Sequence, residues 1–244
     1  MKKLFGLTLA LLMILTLSVP ALAEENAPAG NAVPAMIDPL IELLKANPRK
    51  LIFTEGTDAR ILEAAARLKQ DGFLTPVLIG NVDEVRAAAE KGSFDIEGLE
   101  IIAPAAYPDM DKLVDDFVTL RKGKATAEEA REMLLKPNYF GTMLVKMGKG
   151  DCLLGGATYS TADTVRPALQ LIKTKPGNKI VSSVFIMVKG DERLAMGDCA
   201  INIDPSEDDL VEIAIESART AKVFGIDPEV AMLSYSTLGS GKGD

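Results

Sequence analysis

Hydrophobic positions along this chain follow two spacings, and beyond residue 36 the spacings alternate. Compact apolar runs at 51–53, 76–79, 99–102 and 152–154 have the length of buried strands. Between them the apolar residues fall three and four apart. A helix opens at Thr57, places Ile61, Leu62, Ala65 and Leu68 on one face, and stops at Gly72. Residues 82–90 and 110–121 predict further helices, Thr126 with Glu129 has the form of a capping box, and 139–147 predicts another helix. Strand and helix in alternation predict βαβ units around a parallel sheet, hence the α/β class. Farther on, 179–189 and 193–203 read as two longer strands. Ser206 caps a helix carrying Leu210, Ile213, Ala214 and Ala221 and ended by Gly225, and 230–233 reads as a last strand.

The beginning of the chain is of another kind. Lys2 and Lys3 precede an uncharged, Leu-rich span at 4–23, with Ala21 and Ala23 spaced as an A-x-A cleavage site before Glu24. This predicts a signal peptide at 1–23 and an exported or periplasmic protein. An uncleaved membrane anchor is the alternative, disfavoured by Pro20 and the small residues after it. Residues 24–35, rich in Ala, Pro and Asn, read as a linker with no means of burying apolar area. The remainder divides into a first α/β domain at 36–178 and a second at 179–244.

Composition narrows the chemistry. With 48% hydrophobic and 25% charged residues, the 244-residue chain can bury a substantial core. A net charge of −8 argues against nucleic acid, and it means that an anionic ligand must be captured by local arginines and backbone N–H groups against the overall field. Histidine is absent, which excludes Ser-His-Asp and Cys-His nucleophile systems and any His-ligated metal site. Cys152 and Cys199 are too far apart for a CxxC motif and sit in apolar runs, so they read as buried free thiols in preference to a disulfide.

One stretch, GGATYSTADTVRPALQLIKTKPG at 155–177, carries candidate binding chemistry. A small-residue turn (Gly155, Gly156, Ala157) leads into the hydroxyls of Thr158, Tyr159, Ser160 and Thr161, then to Asp163 as N-cap, with Arg166 and Pro167 in the first helical turn. Unpaired N–H groups at the mouth of a helix, with a forked guanidinium beside them, match an anion such as phosphate. The competing reading is an ordinary capped helix with a solvated arginine. The strand at 152–154 delivers this turn to a position where open α/β sheets bind ligands.

Six blocks, in order, carry a resemblance that covers 37–244: FTEGTDARILEAAARL, LRKGKATAEEAREML, NYFGTMLVKMGKGDCLLGGA, TADTVRPALQLIKTKPG, GDCAINIDP and VAMLSYSTLGSGKG. Together they resemble the phosphate acetyltransferase (phosphotransacetylase) family, which converts acetyl-CoA and phosphate to acetyl phosphate and CoA. The resemblance implies a three-layer α/β/α parallel or mixed sheet in a two-domain architecture like that of isocitrate and isopropylmalate dehydrogenases, with the active site in the cleft between domains. It also implies small-molecule substrates (CoA or acetyl-CoA, acetyl phosphate, phosphate), no permanently bound cofactor and no metal. Further implications are no nucleic acid, membrane contact only through the signal segment, a homodimer, and a cytoplasmic location at odds with the leader.

Arg166 of TVRPAL matches the family arginine that holds the phosphate or the transition-state oxyanion, a catalytic role. Arg121 of LRKGKA matches a second arginine, which binds substrate phosphate or a phosphate of CoA; solvated surface charge is its alternative. By the same resemblance Ser160, Thr161 and Thr164 complete the anion site, while Ser234, Ser236, Thr237 and Gly239 line the cleft. The GSGKG run is not a P-loop, since no Ser or Thr follows Lys242. The chain departs from the family pattern at Tyr159 and Gly123, where histidines are usual, at Gly155 for serine and at Leu238 for lysine. Family members also continue past the SYST strand into a Ser-Arg-Gly motif and an aspartate that serves as general base. The resemblance therefore implies an architecture incomplete at the C-terminus and little or no turnover by residues 24–244 alone.

In the family reaction the aspartate takes the thiol proton of CoA and the thiolate attacks the acetyl phosphate carbonyl. Arginine with hydroxyl or backbone donors stabilises the tetrahedral oxyanion. Two other readings stand beside this one. The first is an exported, non-catalytic binder of phosphate or acyl phosphate. The second is a dehydrogenase of similar fold, opposed by the lack of a GxGxxG fingerprint.

Overall fold

Strands covered on both faces must be apolar throughout, and four short runs of this chain meet that demand. The computed structural model describes residues 34–189 and 192–233. In it β1 (Lys50–Phe53), β2 (Thr75–Ile79), β3 (Glu100–Ile102) and β4 (Cys152–Leu154) form one parallel sheet in the order β3-β2-β1-β4. Ile52 pairs with Val77 on one side and with Leu153 on the other.

The pleat sorts these side chains into two cores. Phe53 and Leu78 pack with Ile61, Leu62 and Ala65 of α2 (Ala59–Asp71) and with Val85 and Ala89 of α3 (Val82–Gly92). Ile52, Val77 and Ile79 belong to the opposite core, with Leu113 and Phe117 of α4 (Met110–Arg121), Leu134 of α5 (Ala127–Leu134) and Phe140 and Met143 of α6 (Pro137–Lys146). Helices therefore cover both sheet faces, giving three layers. The capping box of Thr126 and Glu129 is present, and Gly72 ends α2 in the left-handed region.

Contacts divide the chain into two compact units, one holding residues 37–173 and the other continuing from Thr174. The first unit ends with α7 (Thr161–Pro167) and a π-helical turn, Ala168–Ile172. In the second, β5 (Val184–Lys189) and β6 (Glu192–Gly197) pair antiparallel, with Val184 opposite Gly197, and α8 (Glu207–Val223) packs on them. Ser206 and Asp209 form its capping box.

Several sequence expectations are corrected. The helix expected from Thr57 starts at Ala59, because Asp58 is the residue whose side chain accepts from the Arg60 N–H. Part of the linker at 24–35 is helical: α1 (Pro34–Ala46) brings Ile37, Leu40, Ile41 and Leu44, all half-buried, onto one face. The strands expected at 179–189 and 193–203 are shorter. The Lys179 and Ile180 N–H groups donate to the Glu212 carboxylate of α8, and those of Ala200, Ile201 and Asn202 donate to the Asp198 carboxylate, so neither stretch offers a ladder. Burial pushes the Asp198 carboxyl up, but the Ser183 hydroxyl with these donors outweighs it and lowers the pKa to about 2. Residues 230–233 are not a strand; Val230, Met232 and Leu233 are exposed. Cys152 and Cys199 are free thiols, each half-buried where full burial was expected. The segment 1–23, linker residues 24–33 and Ser234, Ser236, Thr237 and Gly239 lie outside the described residues. Among the described helices none is long and apolar enough to cross a membrane.

Gly141 sets how closely α6 approaches the sheet. A Cβ there would stand 2.9 Å from Leu153 Cδ1 and 3.0 Å from Thr54 Cγ2. We therefore expect Gly141→Val to destabilise the protein by about 2 kcal/mol or more, despite replacing a helical glycine, as read by urea denaturation. Unchanged stability would refute the close approach.

Candidate anion-binding site

Sheet order reverses beside β1: the chain moves from β1 to β2 and β3 on one side, and then to β4 on the other. The crevice at the ends of β1 and β4 is thus the topological switch point of the sheet. Thr54 and Glu55 leave β1 here, and Gly155 and Gly156 leave β4. A Cβ at Gly155 would lie 2.6 Å from Thr54 Oγ1, so a side chain here requires Thr54 to shift.

Glu55, 7% exposed, fills this crevice. Its carboxylate accepts from the N–H groups of Gly156 (2.8 Å) and Ala157 (2.9 Å), and from both the N–H and the hydroxyl of Thr158. The small-residue turn expected to offer its N–H groups to an external anion is therefore occupied by an internal one. Burial raises the Glu55 pKa, and the Thr158 donors with the Ala157 and Gly156 N–H groups more than reverse that, leaving it lowered. Arg60 adds a second tie, donating to Ala157 O at 2.7 Å while paired with Asp58 at 2.8 Å. Tyr159 is half-buried beside these groups, its phenol pushed up by burial and by the Glu55 and Asp163 charges.

Ser160, not Asp163, is the N-cap of α7. Its hydroxyl accepts from the Asp163 N–H at 3.1 Å and donates to the Asp163 carboxylate at 2.7 Å. Thr164, 7% exposed, donates to Ser160 O at 3.1 Å, whereas Thr161 is exposed at the first helical position. This early cap moves Arg166 out of the first turn to the sixth residue of a seven-residue helix. Pro167 then has no N–H for the Asp163 carbonyl, and Asn138 Nδ2 of α6 supplies the missing donor at 2.7 Å. Past the proline the helix widens, with the Lys173 N–H reaching back five residues to Ala168 O.

Arg121 and Arg166 differ in exposure. Arg121, the last residue of α4, is half-buried, and its Nε is buried without a partner. Arg166 is exposed. Among the described residues neither guanidinium has a carboxylate within salt-bridge distance. Both act on the hydroxyl of Tyr139, a buried residue of α6. Burial pushes that phenol up, the Arg166 and Arg121 charges pull it back in part, and the Asp163 charge adds to the rise. Lys173 brings a third cation to this end of α4, with its Nζ 3.5 Å from Leu120 O. Among the described residues no hydrogen bond joins Arg121 or Arg166 to Tyr139, whose hydroxyl donates to Gln170, while Ser160 and Thr164 serve the hydrogen bonding of α7 itself. Sequence reading missed Glu55, Arg60, Asn138 and Tyr139. An acidic residue at the exit of an apolar strand was the one available sign of Glu55.

Comparison with known proteins gives the family of the chain. The sequence model of the phosphate acetyl/butaryl transferase family matches residues 35–244. The chain belongs to that family. It is 56% identical over 195 residues to a phosphate acetyltransferase of Bacillus subtilis (strain 168), covering 80% of this chain and 60% of that one. With a phosphate acetyltransferase of Staphylococcus epidermidis it shares 50% identity over 209 residues, 86% of this chain and 64% of the relative. Its fold is similar to the EutD phosphotransacetylase from Staphylococcus aureus, with a TM-score of 0.79, 48% identity and coverage of 88% of this chain and 65% of that one. A phosphotransacetylase from Streptococcus pyogenes gives a TM-score of 0.80 at 51% identity, covering 86% and 65%. The chain thus spans a little under two thirds of the length of these phosphate acetyl/butaryl transferase relatives.

The turn that precedes Arg166 can be probed through its acid and through its proline. Because the folded pKa of Glu55 is lowered, its contribution to stability is complete above the ordinary glutamate range and is lost as pH falls through the lowered value. Urea unfolding across the acid range is expected to show that loss in the unsubstituted chain, and Glu55→Gln to be about 2 kcal/mol less stable near neutral pH with a flatter acid dependence. Asn138→Ala is expected to cost about 1–2 kcal/mol, and less in a Pro167→Ala background that restores the backbone donor. Equal costs in both backgrounds would show that Asn138 does not substitute for the proline.

Proposed function

We propose that this chain acts as a phosphate acetyltransferase, moving an acetyl group between CoA and phosphate, with Arg166 and Arg121 holding the phosphoryl group. The observation that carries the reading is the family match over residues 35–244, which takes in both arginines, neither of them ion-paired among the described residues. Forked donors of this kind match phosphate oxygens, and a permanently charged group loses nothing to deprotonation near neutral pH. Family membership supplies the substrates, namely CoA, acetyl phosphate and inorganic phosphate, with no permanently bound cofactor. The two-domain architecture of isocitrate and isopropylmalate dehydrogenases and a homodimeric assembly are parts of the same reading.

In the direction of acetyl-CoA formation the CoA thiol gives up its proton and the thiolate attacks the carbonyl carbon of acetyl phosphate. The carbonyl π electrons move to oxygen, and collapse of the tetrahedral adduct expels phosphate as the C–O bond breaks. Arg166 and Arg121 neutralise charge on the phosphoryl oxygens and on the developing oxyanion, a role worth several kcal/mol when the donors are already placed. Half-burial of Arg121 strengthens its contribution relative to a solvated arginine.

Calorimetric titration with inorganic phosphate tests the anion site, and thioester formation from acetyl phosphate and CoA tests the chemistry. Arg166→Gln and Arg121→Gln are each expected to weaken phosphate binding about tenfold or more. Whatever thioester the chain forms is expected to fall by about 10²- to 10³-fold on Arg166→Gln. Phosphate affinity indifferent to both substitutions would overturn the assignment.

A further inference from the structure

Among the described residues three other than glycine have positive φ, and one of them is strained. Ser93 (φ 56°, ψ 34°) and Lys122 (φ 52°, ψ 49°) end α3 and α4 in the left-handed helical region, which single residues enter at modest cost. Lys173, at φ 68° and ψ −179°, lies in a region essentially confined to glycine. It ends the π-helical turn Ala168–Ile172, and its N–H closes that turn on Ala168 O at 2.9 Å. A glycine would make the same turn without the steric cost. The backbone role therefore does not call for lysine.

The side chain is placed where cations collect. Its Nζ stands 3.5 Å from Leu120 O, the carbonyl just before Arg121 at the end of α4. A lysine here is the ordinary complement of a helix C-terminus. The contact is, however, longer than the roughly 2.7–3.2 Å of a good N–H···O bond, and it leaves the ammonium with protons to donate. Arg121 Nε is a buried donor with no acceptor, which native interiors rarely leave unfilled. Lys122 and Lys124 follow in the turn after α4, where the Lys124 N–H donates to Arg121 O. None of these four side chains has a carboxylate within salt-bridge distance among the described residues. Like charges gathered at one helix end repel one another unless an anion joins them. A strained lysine and an orphaned guanidinium N–H thus stand beside each other, and strain of this kind persists at ligand clamps, where binding gains from the side chain so placed.

We propose that Lys173 is a binding residue for the phosphate group taken by Arg121, with its Nζ and the Arg121 Nε donating to oxygens of the same anion. The inference rests on the anion site proposed above and adds a second donor to its Arg121 side. No covalent bond changes. The phosphate group is that of inorganic or acetyl phosphate, or one of those on CoA, and a compact ammonium serves any of them as a point charge.

The test titrates the 244-residue chain by calorimetry with inorganic phosphate and, separately, with CoA at one ionic strength, and measures its urea midpoint. Lys173→Met keeps most of the stem and removes the charge. It is expected to weaken binding about fivefold or more. Lys173→Gly removes the charge and the strain together. It is expected to weaken binding by the same factor while its urea midpoint rises, because relief of the strain exceeds the added freedom of glycine in the unfolded chain. Loss confined to the phosphate titration assigns the ammonium to phosphate or acetyl phosphate, and loss confined to the CoA titration assigns it to a CoA phosphate. Unchanged affinity of both variants in both titrations would overturn the proposal. So would a lowered midpoint in Lys173→Gly, the mark of a lysine that serves only as a strut. Binding lost in Arg121→Gln but intact in Lys173→Met would leave the arginine site standing without the lysine. No binding of phosphate or CoA by the unsubstituted chain would overturn both.

Discussion

A carboxylate nine-tenths buried at the end of a strand is tolerated only when its oxygens are fully met, and Glu55 meets that condition with donors from a segment about a hundred residues away in sequence. The bond is short-range in space and long-range along the chain. It joins the exit of β1 to the exit of β4 where no ladder could, since both strands have ended. From that clamp the direction of everything downstream is set. The turn at 156–158 fixes the start of Ser160, Ser160 caps α7, and α7 presents Arg166 and, through the π-helical turn, Gln170. The arginine is thus oriented by an acid that never touches it.

The same economy explains how an anion site survives in a chain of net charge −8. Two acidic groups of the segment leading to Arg166 have partners of their own: Glu55 is closed in by the turn, and Asp163 is engaged by Ser160. Neither is within salt-bridge distance of Arg121 or Arg166. Local positive potential then depends on which carboxylates are otherwise engaged, and the overall charge matters little at this distance in a partly buried site.

Sequence periodicity located the first unit well, because strands such as 76–79 and helices such as 110–121 bury whole faces and write their period plainly. It failed where side chains compete with the ladder for backbone N–H groups. Asp198 claims the amides of Ala200, Ile201 and Asn202 just beyond it, Glu212 claims those of Lys179 and Ile180 from more than thirty residues away, and apolar periodicity registers neither. The N-cap of α7 was misplaced by three residues for a related reason. Ser160 and Asp163 are both good caps, and the choice falls to the one whose hydroxyl and carboxylate can satisfy each other. Arg121 and Arg166 were legible from their family motifs. Tyr139 was not, since a tyrosine in an apolar helix reads as core until its hydroxyl is seen bonded to Gln170.

The wide turn after Pro167 makes the length of this segment as consequential as its composition. A five-residue reach closes over one more residue than an ordinary helical hydrogen bond does, and Leu171 within it is fully enclosed. Excising a single residue between Pro167 and Lys173 with the winding otherwise unchanged would rotate the chain downstream of the cut by about 100°. Leu171 would leave the core, and the amide of Gln170 would swing away from α6. A change in chain length that surface loops absorb without effect would here disconnect two helices.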